Sequence, residues 1–219
     1  MKLVVFGATG GVGSQIVAQG AAAGHEVTAV TRREVSIPGS VRVAVGDIED
    51  PTFVSDVIAG HDAVASALGL RRAKETSLRG PLASPPDLTS RVSGHIVAGM
   101  HTHGVHRVAA VSAAGVGNSR PGLNPFMRAL IRFTNVGAFY ADLERMEPVY
   151  AASGLDWCCV RPTGLTDGPS TGGVRLVDRF AFNAWITRAD VAAYVLDCVT
   201  APTVTNRTPI ISGPASQRR

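Results

Sequence analysis

The apolar run "LVVF" (3–6) stops abruptly at "GATGGVG" (7–13), and a helical pattern, "VGSQIVAQGAAAG" (12–24), follows at once. No other stretch constrains the fold as strongly. A short apolar run closed by glycines reads as a buried strand, and glycines opening a helix leave its first N–H groups available to a partner. Gly7 permits a tight turn, Gly10 lets the backbone approach a pyrophosphate, and Gly13 allows close packing of helix on sheet. The free N–H groups and the positive end of the helix dipole then favour phosphate. A glycine triplet alone is a weak pattern. Between a strand and a helix, at the start of a βαβ unit, it predicts a dinucleotide site.

The rest of the chain continues this alternation. Strands are expected at Leu3–Phe6, Glu26–Val30, Val41–Gly46, Ala63–Ala67, Arg107–Ser112, Trp157–Arg161 and Pro209–Ile211. Helical patterns lie between them at 12–24, 51–60, 86–104, 142–154 and 188–201, the first four closing on a glycine. Near-continuous apolar strands alternating with helices predict a parallel sheet covered on both faces. The expected architecture is one doubly wound, Rossmann-like α/β domain over 1–219, with about seven strands. Two segments interrupt the pattern. Residues 69–86 are polar, irregular and long enough for a functional loop rather than a connector. Residues 118–140 carry a helix with Asn124 as cap and Pro125 in its first turn, whose Phe126, Leu130, Ile131 and Phe133 need an apolar neighbour. Together with about 163–187, this segment is expected to form a small substrate-side subregion.

Composition narrows the function classes. Of 219 residues 45% are apolar and 17% charged, which suits one core and leaves no disordered charged tail. The net charge of +4 includes "RRAK" (71–74) and a terminal "QRR", but no basic run alternates with aromatics. Nucleic acid is therefore not an expected partner, and phosphates on a small ligand account for the excess. Cys158, Cys159 and Cys198 make an odd count without metal or redox spacing, pointing to a reducing compartment and to small core residues. The first apolar run is too short for a signal peptide, and none approaches the roughly 20 residues of a membrane span. A soluble, cytoplasmic protein is expected. "HTHGVH" (101–106) offers histidines that face different ways on a helix, with no accompanying ligands, so no metal is expected.

The tip of the second strand, "EVTAVTRRE", selects the cofactor. An NAD site places an acid there to accept from ribose hydroxyls, whereas this chain has Arg32 and Arg33. Guanidinium groups match a 2′-phosphate bidentately and accept nothing, so NADP(H) is favoured. Glu34 lies beyond the expected position.

The spacing G-x-x-G-x-x-G with Ala-Thr inside resembles the extended and atypical short-chain dehydrogenase/reductase superfamily. "GDIED" (46–50), "ALG" (67–69), "SGLDWCCVRPTGLTDGP" (153–169) and "ITRADVAAYVLDCV" (186–199) extend the likeness over nearly the whole chain. The chain is most similar to the biliverdin reductase B/flavin reductase group, with NmrA-like proteins next. The resemblance implies cofactor contacts from Gly7, Thr9, Gly10, Gly11, Val12 and Gly13. It implies that Asp47 and Ile48 flank the adenine, and that Ala67, Leu68 and Gly69 meet ribose and phosphates. It also implies that Pro162, Thr163, Gly164 and Leu165 form the loop touching the nicotinamide carboxamide. Thr163 stands where the biliverdin reductase group has a histidine, which argues against biliverdin itself as substrate.

Most members of that superfamily use a serine after the fifth strand and a Tyr-x-x-x-Lys on the next helix. Ser112 supplies the serine, at a strand end where open sheets bind ligands, and is expected to orient a carbonyl or the nicotinamide amide. The tyrosine and lysine positions fall near Phe139 and Leu143. Tyr140 is one residue off, about 100° round a helix, and Glu144 four residues on repels a phenolate rather than activating it. Tyr140 is thus a weaker candidate for proton donor, Glu147 reads as structural, and Pro148 is expected to end or kink its helix. A flavin or linear tetrapyrrole spreads the arriving charge and needs little protein acid, which fits the biliverdin reductase B/flavin reductase resemblance. The expected function is an NADPH-dependent oxidoreductase acting on a small, planar, conjugated acceptor, with Phe126, Met127 and Phe133 as candidate walls. The alternative is an NmrA-like sensor that binds NADP(H) without turnover; a sugar-nucleotide epimerase lacks chain for a substrate lobe. No membrane partner is expected, and the protein should be a monomer or small homo-oligomer.

Overall fold

β1 (Lys2–Phe6) lies inside the sheet, and Leu3 to Phe6 are completely buried. Leu3 and Val5 join one core cluster while Val4 and Phe6 join the other, as the two-residue period of a strand covered on both faces dictates. In this computed structural model residues 1–73, 79–179, 183–201 and 206–214 are described. Lys74 and the terminal "QRR" of the two basic stretches lie outside them.

After β1 the chain runs through α1 (Gly11–Ala22), β2 (Glu26–Thr31), β3 (Val41–Val45), α2 (Pro51–Ile58), β4 (Ala63–Ser66), α3 (Leu88–His103) and β5 (Arg107–Val111). A 3-10 turn (Gly117–Gly122), α4 (Pro125–Phe133) and α5 (Val136–Ala151) lead to β6 (Asp156–Pro162). The short strands β7 (Gly164–Thr166), β8 (Arg175–Leu176) and β9 (Trp185–Thr187), then α6 (Arg188–Thr200) and β10 (Ile210–Ser212), complete the described elements. The main sheet has the order β3-β2-β1-β4-β5-β6-β10-β8, all parallel except β8 against β10, and β7 pairs with β9 separately. Helices α1 and α6 cover one face, and α2, α3 and α5 the other.

All seven expected strands are present, and the doubly wound architecture is as read. The main sheet has eight strands rather than seven because β8 is added at its edge; its two residues are too short to leave a periodic signal. Adjacent Cys158 and Cys159 are buried on opposite faces of β6, in the two separate clusters. The helix boundaries follow local chemistry. Asp50 caps α2 by accepting from Thr52 N at 2.9 Å, Asn124 caps α4 by accepting from Met127 N at 2.9 Å, and Gly104 closes α3 in the left-handed conformation (φ 64°).

Two local expectations are overturned. Pro148 does not end α5: the helix runs on to Ala151, and Ala152 N bonds the Pro148 carbonyl at 3.0 Å. Pro148 sits in the last turns, where one missing N–H is tolerated because buried Met146, Glu147 and Tyr150 hold the face in place. The apolar side of α4 is not covered as expected either. Phe126 and Phe133 remain 61% and 64% exposed, and no residue of α4 is buried. Among the described residues no helix is long and apolar enough to cross a membrane.

Candidate active site

The strand order reverses between β1 and β4, and the crevice opens there, at the carboxyl ends of the strands. A cavity of about 360 Å³ lies on the β2 side and another of about 260 Å³ on the β5 side, and both are lined by Ala67, Leu68, Gly69 and Leu70. The two share that wall, and together their linings reach from Arg32 to Ser112.

The glycine loop forms the floor, and its glycines have different reasons to be there. Gly7 has φ 75°, and a Cβ on it would lie 2.5 Å from the Ala67 carbonyl oxygen. A Cβ on Gly13 would lie 2.0 Å from the Gly7 carbonyl oxygen, so this residue packs the helix against its own turn rather than against the sheet. Gly10 is not required in that way, since its nearest neighbour would be 3.2 Å away. Its missing side chain instead clears the space above the loop. Gly10 caps α1 without any side-chain bond, and the first turn holds no acid, so the opening N–H groups remain available to an anion.

At the β2 end Arg32 lines the cavity together with Arg71. Partial burial first, then the nearby charges of Arg71 and Arg33, lower the Arg32 pKa. Like charges gathered this way call for an anion. Arg33 is not among the lining residues; its carbonyl accepts from Thr31 Oγ1 at 2.8 Å. Arg71 was not expected in the site. It comes from the 69–86 segment, which doubles back so that Ala83 N bonds the Arg71 carbonyl at 2.7 Å and Arg71 N bonds Ser84 Oγ at 2.9 Å. Ser84 and Pro85 thereby form the wall facing Asp47 and Ile48. The length and polarity of that segment were the only signal for it.

At the β5 end Ser112 lines the cavity, with its hydroxyl buried and committed: Oγ donates to Glu147 Oε1 at 2.6 Å. Glu147 in turn takes a bidentate pair from Arg161, Nε to Oε1 at 2.8 Å and Nη2 to Oε2 at 2.6 Å, and Arg161 Nη1 reaches Asn118. Glu147 is structural, as expected. Phe139 and Leu143, at the positions expected for the tyrosine and lysine, both line the cleft beside Ser112. Tyr140 does not line it; its hydroxyl donates to the Ala114 carbonyl at 3.0 Å, and burial raises its pKa. Leu165 lines the cavity, whereas Pro162, Thr163 and Gly164 do not. Thr163 Oγ1 is buried without a hydrogen-bond partner in the protein. The α4 residues Phe126, Met127 and Phe133 are not part of this wall. Arg188, another residue that sequence reasoning did not select, lines the cavity over Gly11.

These residues fit a dinucleotide. The cleared loop and uncapped helix suit a pyrophosphate, and the Arg32–Arg71 pair suits an anion beyond the ribose. His101 Nε2 lies 2.9 Å from the Ser153 carbonyl and His103 Nε2 3.1 Å from Ser55 Oγ, and the described residues contain no ligand cluster.

The pattern of the NAD(P)H-binding family matches residues 7–202. Among solved structures, the anaerobillin reductase ChuY of Escherichia coli O157:H7 is 23% identical with a TM-score of 0.81, the whole of each chain being covered. A Burkholderia pseudomallei protein, provisionally described as exported, is 26% identical (TM-score 0.74, 97% of this chain and 99% of that one). The Lactococcus lactis oxidoreductase YlbE is 17% identical (TM-score 0.79, 98% and 91%). The likeness in fold therefore spans the whole chain, and the family match covers most of it. This chain belongs to the NAD(P)H-binding family.

Proposed function

We propose that this protein is an NADPH-dependent oxidoreductase that reduces a conjugated acceptor such as a flavin. The observation that carries the reading is the pairing of Phe139 and Leu143 beside Ser112. Where an acid–base pair would stand, the wall is apolar and suited to a planar ring. When bound, the cofactor would supply a hydride from its nicotinamide. Gly10, Val12 and the first N–H groups of α1 would hold the phosphates, Arg32, Arg33 and Arg71 the 2′-phosphate, and Asp47 and Ile48 the adenine. Leu165 and Thr163 would border the carboxamide.

What the protein's own groups do at the reacting end is limited. Because Ser112 already donates to Glu147, its oxygen is left only the role of acceptor toward a ligand. It is suited to an amide N–H, on the carboxamide or on the acceptor, and cannot polarise a carbonyl while that bond holds. Phe139, Leu143 and Leu165 exclude water and set the plane of the acceptor. The accompanying proton would come from solvent or from a tautomer of the acceptor, which is tolerable when charge is delocalised over a ring system.

The test is steady-state NADPH oxidation with FMN, riboflavin, a quinone and anaerobilin as acceptors, the last because a neighbour in fold is named for it. Turnover with one or more supports the reading. Tight NADPH binding without turnover on any would replace it with a cofactor-binding sensor.

A further inference from the structure

Arg188 is the one charged side chain lining the Ser112 end of the cleft among the described residues. It opens α6, directly after the cap Thr187, where the helix dipole disfavours a cation. Its position therefore needs another explanation. The side chain lies across the start of α1: a Cβ on Gly11 would be 2.6 Å from Arg188 Cδ and 2.7 Å from Nε. Gly11 thus leaves room for this arginine, just as Gly10 leaves room above the loop. The guanidinium lies at the uncapped first turn of α1, where two phosphates are expected.

In this structure its partner is Asp167, with Nη1 2.7 Å from Oδ1. The Asp167 side chain is 92% exposed, so this pair is weakly held in water. The loop that presents Asp167 is nonetheless fixed. Three residues on, the buried Asp190 carboxylate accepts from Ser170 Oγ at 2.6 Å, Thr171 N at 2.8 Å, Thr171 Oγ1 at 2.6 Å and Gly172 N at 3.1 Å. Asp190 is also on α6, so carboxylate and guanidinium are presented from one anchored unit.

We propose that Arg188 is a ligand for the cofactor's diphosphate and that Asp167 is its place-holder. On binding, the guanidinium exchanges one exposed carboxylate for phosphate oxygens, a match in charge and geometry that the fork of arginine favours. Asp167 is then an internal competitor, and removing its charge strengthens binding. The inference rests on the reading of the cleft as an NAD(P)H site, and it concerns a group common to NADPH and NADH.

Dissociation constants for NADPH and NADH, measured by fluorescence titration on the wild type, Arg188→Ala, Asp167→Asn and the double variant Arg32→Ala/Arg33→Ala, separate the possibilities. Arg188→Ala is expected to weaken both nucleotides by the same factor, about tenfold, as for loss of a charge-assisted bond. Asp167→Asn is expected to tighten both by about two- to fivefold, as for release of an exposed ion pair. Loss of the two arginines at the other end weakens NADPH alone. An Arg188 that merely staples the loop to the helix predicts weaker or unchanged binding in Asp167→Asn, and that result overturns the inference while leaving the cofactor site standing. Wild-type protein that binds neither nucleotide overturns the cofactor reading and this inference with it. Asp167 is exposed, so its variant reports even if Arg188→Ala fails to fold.

Discussion

The two ends of the cleft are built on opposite plans. At the β2 end, Arg32 and Arg71 are gathered close to each other with Arg33 nearby, opposed by the Asp47 carboxylate. At the β5 end the groups behind the apolar wall are matched to one another: Ser112 to Glu147, Glu147 to Arg161, Arg161 to Asn118, and Tyr140 to Ala114. One end stores affinity for an anion, and the other stores rigidity behind an apolar wall. Arg188 apart, substitutions should therefore separate, costing binding at the first end and stability at the second.

The strongest challenge to that contrast is Glu147→Gln. It keeps a hydrogen-bond acceptor for Ser112 but leaves the buried Arg161 guanidinium without its counter-charge, at a cost of about 3 kcal/mol or more. Denaturant unfolding should show the loss, and replacing Arg161 by Met in the same chain should recover part of it. Next in size, Arg32→Ala/Arg33→Ala should raise the NADPH dissociation constant by about 10- to 100-fold, the worth of one or two charge-assisted bonds. NADH binding and the melting temperature should stay put; a fall in melting temperature would show that the arginines are structural and erase the contrast. Tyr140→Phe should cost about 1 kcal/mol of stability, one neutral hydrogen bond, with kcat unchanged. A large drop in kcat would restore Tyr140 as a proton donor.

The finest prediction concerns pH. Burial alone would raise the Asp190 pKa, but hydrogen bonds from Ser170, Thr171 and Thr187 outweigh it and hold it below the usual carboxylate value. A depressed folded-state pKa contributes stability above the unfolded value, roughly pH 4, and loses it as pH falls through the folded value. Wild-type protein should therefore lose more stability than Asp190→Asn on acidification below about pH 4. Equal slopes in the two proteins would mean that the carboxylate is not what anchors the 170–172 loop.

Legibility in the sequence followed the same division. The β2 end is largely contiguous: strand, glycine loop, helix and arginine tip all fall within the first 33 residues, so local spacing reports it. Arg71 and Ser84 escaped because they belong to an irregular segment whose path is set by long-range packing and by bonds such as Ala83 N to Arg71 O. At the β5 end, Ser112 was readable from its strand and Phe139 and Leu143 from their register. The Glu147–Arg161–Asn118 chain joins an α-helix, a strand and a turn that no spacing rule connects. Arg188 was hidden by its neighbours, since "ITRADVAAY" reads as an ordinary capped helix until Gly11 is seen to make room for it. The exposed side of α4 shows the converse failure: an amphipathic pattern states that a face is apolar, not that the described chain covers it.

The interior place of β1 has a further consequence, in the order of assembly. β1 precedes both of its neighbours in the chain: β2 starts at Glu26 and β4 at Ala63, and parallel partners cannot be joined by a hairpin. Each pairing must close a crossover first, which slows folding in proportion to the separation of the contacts. The Gly7 turn meets the Ala67 carbonyl only after β4 has docked, so the nucleotide-binding floor takes shape late. Until then "LVVF" is an apolar segment with free strand edges, open to pairing with other copies of itself. The segment that organises the finished cleft is thus itself open to aggregation while the chain is still folding.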